Sequence, residues 1–235
     1  MKEFGGPVGR KYASIDLKGR DAVEKGEIQD FIGYPEALKN RFCIALELSA
    51  DSDDEIRERV TSKVEAIAKE SGIHMVIAGR NYPLHSTLLE GNFDGTDEAK
   101  RDGIFAALIQ DPELQKVFDE LKDLKIVYKY LLVDKGNILL TCSDIPEAFA
   151  RARQRISEIY MAHGLKPLMI EHLAHISIAR ITRQPDVARL ERLHEYKTML
   201  IKLRHEISSN PITADVGDIF KGPTHDFLFR INLSS

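Results

Sequence analysis

Two short segments of the chain each place a histidine two positions before a small hydroxyl residue. Residues 84–89 read LHSTLL, with His85 and Thr87, and residues 172–179 read HLAHISIA, with His175 and Ser177. Alternate side chains of a strand share a face, so each histidine would lie on the same face as its hydroxyl partner. Imidazole titrates near neutral pH and serves as general acid or general base. The two segments are therefore candidates for one acid–base device.

Two imidazoles on opposite sides of a phosphorus atom favour in-line phosphoryl transfer. One activates the attacking oxygen and the other protonates the leaving oxygen, while Thr87 and Ser177 can hydrogen-bond the non-bridging oxygens. Such a site needs no metal or other cofactor, and we expect none. The chain contains no Cys-x-x-Cys and no His-Glu-x-x-His motif, and His172 and His175 would point to opposite faces of a strand.

The triplets alone are weak evidence, because eight histidines are expected to give about one His-x-Ser/Thr triplet by chance. The order of predicted elements adds to them. In each half, a His-x-Ser/Thr strand precedes a helix and then a hairpin, which indicates two related lobes of an α+β fold. The alternative without chemistry is that His85 and His175 are two hydrogen-bonded structural histidines in a sheet.

Hydrophobic periodicity places the elements around these segments. Strands are predicted at 41–49, 74–79, 84–91 and within 168–181. Hairpins are predicted at 124–143 and at 212–220 with 225–233, the latter around a turn at Lys221–Thr224. Helices are predicted at 51–72, at 97–122 with a restart at Asp111-Pro112, from Pro146 to Gly164, and at 185–207.

With these motifs the chain resembles the 2H phosphoesterase superfamily, and within it the RNA 2′,3′-cyclic phosphodiesterase (2′-5′ RNA ligase-like) branch. The matching stretches are RFCIALEL, LHSTLLEG and HISIARI, and the resemblance spans roughly residues 41–233. The first motif departs from the usual pattern with a polar Ser86. The resemblance implies two pseudo-symmetric lobes whose antiparallel sheets face a central cleft, with helices on the outside.

The same resemblance implies a phosphoric diester hydrolase. His85 and His175 would be the general acid and base, in an order that the sequence does not assign, and Thr87 and Ser177 would hold the phosphate. The substrate would be a nucleotide or RNA end with a 2′,3′-cyclic phosphate or a 2′,5′ linkage. Two alternatives stay open: a non-catalytic nucleotide-binding module on the same fold, and an RNA 2′-5′ ligase acting on longer RNA.

The composition limits the kinds of binding partner that we expect. A net charge of −4 argues against a basic surface that follows a long nucleic acid, but it is compatible with a small anionic ligand in a local pocket. Cys43 and Cys142 lie in apolar strand-like runs, which favours two buried thiols in a reducing cytoplasm. No signal peptide or membrane-length segment is recognised, and we expect a monomer without membrane contact.

Residues 1–40 are rich in glycine and charge and are predicted to be a partly irregular N-terminal extension. The phosphoesterase-like domain would span 41–235, with intimately packed lobes at roughly 41–143 and 144–235. Four other residues could be given a role in binding, but a structural interpretation is favoured for each. Cations at positions such as Arg180 and Lys221 are more often solvated than bound to phosphate. Tyr128 and Tyr130 could stack on a base, but aromatic residues at this spacing more often face a core.

Overall fold

The computed structural model describes residues 6–25, 27, 40–78, 84–93, 98–134, 136–168, 174–181 and 190–224. Its helices are α1 (Gly6–Lys25), α2 (Ala50–Ile56), α3 (Ser62–Ser71), α4 (Glu98–Ile109), α5 (Pro112–Asp119), α6 (Glu147–Ala162) and α7 (Leu190–Ser209). A π-helical turn, Arg57–Thr61, joins α2 to α3. The strands are β1 (Arg41–Leu48), β2 (Met75–Ile77), β3 (His85–Asn92), β4 (Lys125–Asp134), β5 (Asn137–Cys142), β6 (Lys166–Leu168), β7 (His175–Ile181) and β8 (Ile212–Pro223).

The described strands form one antiparallel sheet in the order β2-β7-β5-β4-β8-β1-β3-β6. An additional pairing joins β7 to β3, so that the six inner strands close into a hydrogen-bonded ring. The α+β class expected from the sequence is confirmed. The two expected sheets are two halves of this single sheet, joined where β4 pairs with β8 and where β3 meets β7.

The sheet has an internal pseudo-two-fold symmetry. Exchanging β1 with β5, β3 with β7, β6 with β2 and β8 with β4 gives the same strand order read from the opposite edge of the sheet. The two motif strands also share a bulge. Ile44 pairs with Leu89 and Ala45 with Thr87, so Leu88 is the extra residue. In β7, Ile178 is the extra residue in the same way.

One face of the sheet is covered by helices and forms the main core. Alternate strand residues such as Leu46, Leu140 and Ile176 are fully buried there, together with Phe149 and Ile156 of α6. Burial of such side chains is the dominant favourable term in folding, at roughly 25 cal/mol per Å² of apolar surface. The core therefore fixes which face each motif strand turns inward.

One segment is more regular than the sequence indicated, and one expectation is corrected by the structure. Residues 6–25 form a regular helix, α1, with Tyr12 and Asp16 fully buried. Lys221, Gly222 and Pro223 lie in β8 rather than in a turn, because β8 continues its pairing with β1 as far as Phe42 opposite Pro223. A proline is tolerated at a strand end, where no ladder donor is required.

The remaining differences concern short or undescribed segments. The three-residue strand β6 was not predicted, and the partner strand proposed at 225–233 lies outside the described residues. The lobe boundary near residue 143 stays a prediction. Among the described helices, none has the length and apolar character needed to cross a membrane.

Candidate active site

The two motif strands lie side by side. Ser86 of β3 pairs with Ile176 of β7 in an antiparallel bridge. Continued by one residue in each direction, this antiparallel register places His85 opposite Ser177, and Thr87 opposite His175. The four side chains thus form a two-by-two array on one face of the sheet, which we call the histidine array (His85, Thr87, His175 and Ser177). Its histidines are diagonal neighbours, which sheet geometry separates by roughly 7–8 Å, with their Cβ atoms somewhat closer.

The rows of the array continue into the flanking strands and differ between the two halves. In β1, Glu47 pairs with His85 and Ala45 with Thr87. In β5, Thr141 pairs with His175 and Leu139 with Ser177. The first histidine therefore has a carboxylate as its cross-strand neighbour, and the second histidine has a neutral hydroxyl.

Strand alternation explains why the array turns away from the core. Each of its four members keeps part of its surface exposed, while the intervening residues Ser86 and Ile176 are fully buried. The polar Ser86 lies in the core beside Tyr128, which is also fully buried. Burial raises the pKa of the Tyr128 phenol, and the Ser86 side chain acts on it in the opposite direction.

Backbone hydrogen bonds hold the start of both motif strands. The N–H of Leu84, the residue before His85, donates to Asp53 Oδ1 at 2.8 Å. Leu48 N–H donates to Leu84 O at 3.1 Å, and at the symmetric position Cys142 N–H donates to Ala174 O at 3.2 Å. Both histidines therefore follow directly on an anchored residue.

Arg153 of α6 lies beneath the array on the core side. Its Nε donates to Leu88 O at 2.7 Å and its Nη2 to Thr87 O at 3.4 Å, so it satisfies carbonyls at the bulge of the first motif. Its guanidinium lies 4.7 Å from the centre of the Phe149 ring. The residue is only 7% exposed, and this burial lowers the pKa of Arg153 to about 10.

The His175 ring is enclosed on its Nδ1 side. Its Nδ1 is buried and has no hydrogen-bond partner within the described part of the chain. Burial lowers the pKa of His175 to about 4, and the Arg153 charge acts in the same direction. The neutral imidazole is therefore the favoured form of His175 in the free protein.

Helix α1 packs on the face that carries the array, over its second half. Tyr12 forms a buried cluster with Tyr130, Leu132 and Leu139, and Leu139 is the cross-strand neighbour of Ser177. The Tyr12 hydroxyl lies 3.6 Å from Cys142 Sγ. The sequence prediction missed this wall of the site. A signal was present in the helical spacing of Tyr12, Asp16, Gly19 and Val23, all of them buried, but only two of the four are hydrophobic.

The other residues singled out from the sequence lie elsewhere. Arg180 donates from Nε to Asn137 Oδ1 at 2.6 Å, Lys221 lies over the Phe118 ring, and Tyr128 and Tyr130 are buried. His172 is outside the described residues. A cavity of about 250 Å³ between α1 and α7 is lined by none of the array residues. In the described ranges, no three His, Cys, Asp or Glu side chains group as metal ligands would.

No protein-family model matches the chain, and no curated protein matches it by sequence. Among solved structures, the MHV ns2 PDE domain is similar with a TM-score of 0.43 and 14% identity, covering 62% of this chain and 86% of that chain.

Usb1 from Kluyveromyces marxianus is similar with a TM-score of 0.41 and 15% identity, covering 80% of this chain and 99% of that chain. Its structure with uridine monophosphate gives a TM-score of 0.43 and 16% identity, covering 79% and 99%.

Proposed function

We propose that the chain is a metal-independent phosphoesterase that acts on a 2′,3′-cyclic phosphate or a 2′,5′ linkage at a nucleotide or RNA end. The observation that carries this proposal is the histidine array, in which two imidazoles lie diagonally across two neighbouring strands with a hydroxyl opposite each. The motif resemblance from the sequence points to the same chemistry.

The reaction needs two proton transfers that two imidazoles can supply. A neutral imidazole removes a proton from water as the water oxygen bonds to phosphorus. The bond from phosphorus to one ribose oxygen breaks, and an imidazolium donates its proton to that oxygen. Cleavage of a cyclic phosphate then leaves a phosphate monoester and a free ribose hydroxyl, and proton exchange with solvent resets both rings.

The hydroxyls of Thr87 and Ser177 have a position suited to the phosphate oxygens that do not react. Each lies opposite one histidine and next to the other along its strand. A phosphate placed between the imidazoles would therefore have a hydroxyl donor on each side. Donors that are fixed before the reaction stabilise developing charge without reorganisation, which is a large term in such catalysis.

The test is turnover of defined small substrates. The purified protein is incubated in EDTA with the four nucleoside 2′,3′-cyclic monophosphates, and phosphorus NMR identifies the products. We expect conversion to a monophosphate by the wild type, and a loss on the order of 100-fold or more in His85→Ala and in His175→Ala. His205→Ala is the matched control, because His205 is exposed on α7.

Three outcomes would replace this proposal. Saturable binding of the nucleotides without product favours a nucleotide-binding module. Joining of longer RNA, with affinity that falls steeply as salt rises, favours a ligase. Activity that survives both histidine substitutions contradicts the two-histidine mechanism.

A further inference from the structure

The cavity of about 250 Å³ between α1 and α7 has an apolar lining. Aliphatic side chains reach it from α1, β4 and α7, and they are those of Leu17, Val23, Val133, Leu200 and Ile201. Leu17 and Ile201 are 63% and 45% exposed, so two aliphatic side chains stand at the mouth of the cavity in contact with water. Pockets for small molecules combine such a lining with a few placed polar groups. The lining therefore suits a ligand with an apolar body.

Two arginines that line the cavity share one buried carboxylate. Arg204 donates to Asp16 from Nη2 at 2.6 Å and from Nη1 at 3.2 Å. Arg20 approaches the same carboxylate at 2.8 Å. Two guanidinium groups and one carboxylate leave a surplus of one positive charge at the wall of the cavity.

The other charged residues that line the cavity are neutralised in pairs. Lys197 of α7 forms an ion pair with Glu24 of α1. Asp21 pairs with Lys25, one turn further along α1, at 2.7 Å. These pairs do not offset the surplus charge of the two arginines, so the cavity favours an anionic ligand over a neutral or cationic one.

Arg20 is the cation that can turn to a ligand. Asp16 keeps both Arg204 hydrogen bonds and the Val133 N–H at 3.0 Å without it. The Arg20 side chain is 42% exposed, whereas that of Arg204 is only 7% exposed. The Nε of Arg204 is itself buried without a hydrogen-bond partner within the described part of the chain. The wall of the cavity thus holds one movable guanidinium and, behind it, a buried cation with an unused donor.

We propose that this cavity binds a small aliphatic carboxylate, with its carboxylate group on the Arg20 guanidinium and its alkyl chain between Leu17 and Ile201. A guanidinium matches the planar carboxylate with two parallel hydrogen bonds, and one negative charge matches the surplus. The cavity is smaller than the roughly 300–1,000 Å³ of typical ligand pockets, so the alkyl chain is short. A ligand held between α1 and α7 stabilises the docking of α1, whose Tyr12 forms a wall of the histidine array.

The test uses hexanoate as the probe and the full chain, and it needs no turnover. Hexanoate is titrated into ¹⁵N-labelled protein and followed by NMR. We expect saturable shifts at the backbone amides of Leu17, Arg20 and Ile201, with a Kd on the order of 1 mM or below, as the size of the probe allows. Hexanamide has the same size without the charge and should bind about tenfold more weakly. Hexylamine, a cation, should not bind.

Variants separate the charge from the apolar lining. Arg20→Gln should weaken hexanoate binding by about tenfold and leave hexanamide binding unchanged. Lys18→Gln is the matched control, because Lys18 is an exposed cation of the same helix that does not line the cavity. Ile201→Glu places a carboxylate at the mouth and should abolish the hexanoate shifts. Circular dichroism of each variant shows that the fold is kept.

Three results would overturn the proposal. The first is an absence of shifts at the cavity, or shifts that spread over surface lysines and do not saturate. The second is equal binding of hexanoate and hexanamide to the wild type, because the charge would then play no part. The third is a dimer in sedimentation that Ile201→Glu disrupts, since a second copy of the chain would then fill the cavity in place of a carboxylate.

Discussion

The docking of α1 depends on one buried carboxylate. Asp16 is fully buried and accepts a hydrogen bond from the Val133 N–H at 3.0 Å. Val133 lies in the part of β4 that, among the described residues, pairs only with β5. It also accepts hydrogen bonds from Nη2 of Arg204 at 2.6 Å and from Nη1 at 3.2 Å. Arg20, one turn further along α1, approaches the same carboxylate at 2.8 Å. Asp16→Ala would leave the Arg204 charge and the Val133 N–H buried without these bonds.

The expected cost follows from these contacts. Removing one partner of a buried ion pair costs about 3–5 kcal/mol, and an unsatisfied buried N–H about 1–3 kcal/mol. The two costs overlap, because water that reaches one group also reaches the other. We therefore expect the free energy of unfolding to fall by about 4 kcal/mol. With a urea dependence of about 2–3 kcal/mol per M, the midpoint should fall by about 1.5 M.

The assay is urea unfolding followed by circular dichroism, with limited proteolysis to show whether α1 comes away first. Asp21→Ala is the control, because Asp21 lies on the same helix and pairs with Lys25 at 2.7 Å with both side chains more than half exposed. It should change stability by about 0.5 kcal/mol or less. Asp16→Ala combined with Arg204→Met should recover about half of the loss, since no uncompensated charge stays buried. If Asp16→Ala is no more destabilising than Asp21→Ala, the carboxylate does not anchor α1.

Two further predictions use a close contact and a buried base. A Cβ at Gly91 would lie 2.6 Å from Tyr160 Cδ2, so Gly91→Ala should lower the free energy of unfolding by about 1–3 kcal/mol. A Cβ at Gly103 in α4 meets nothing within 4 Å, so Gly103→Ala should raise it by about 0.5–1 kcal/mol. The melting temperatures of the two variants, compared with that of the wild type, check both signs. The pKa of His175 is about 4 in the folded protein against about 6.5 when unfolded, so its contribution is complete above pH 6.5 and is lost as pH falls toward 4. Wild type should therefore lose up to roughly 3 kcal/mol more than His175→Gln between pH 7.5 and pH 4.5 in urea titrations, and parallel curves would contradict the buried neutral imidazole.

The local parts of the site could be predicted from the sequence because they depend on strand alternation. A histidine and a hydroxyl two positions apart on a strand must share a face, and the residue between them must turn the other way. The structure has this pattern at His85 and Thr87 and at His175 and Ser177. Helix boundaries marked by a capping residue were also predictable. At the start of α5, the Asp111 carboxylate accepts hydrogen bonds from the N–H groups of Glu113 and Leu114 and so caps the first turn.

The long-range parts could not be predicted in this way. Strands β3 and β7 are ninety residues apart in the chain, and no residue in either strand indicates that they are neighbours in the sheet. The neighbour relation of Glu47 to His85 depends on register and on the bulge at Leu88, which only the pairing reveals. The burial of α1 depends on Arg204, 188 residues from Asp16, and on Gly19, where a Cβ would lie 2.1 Å from Val133 O.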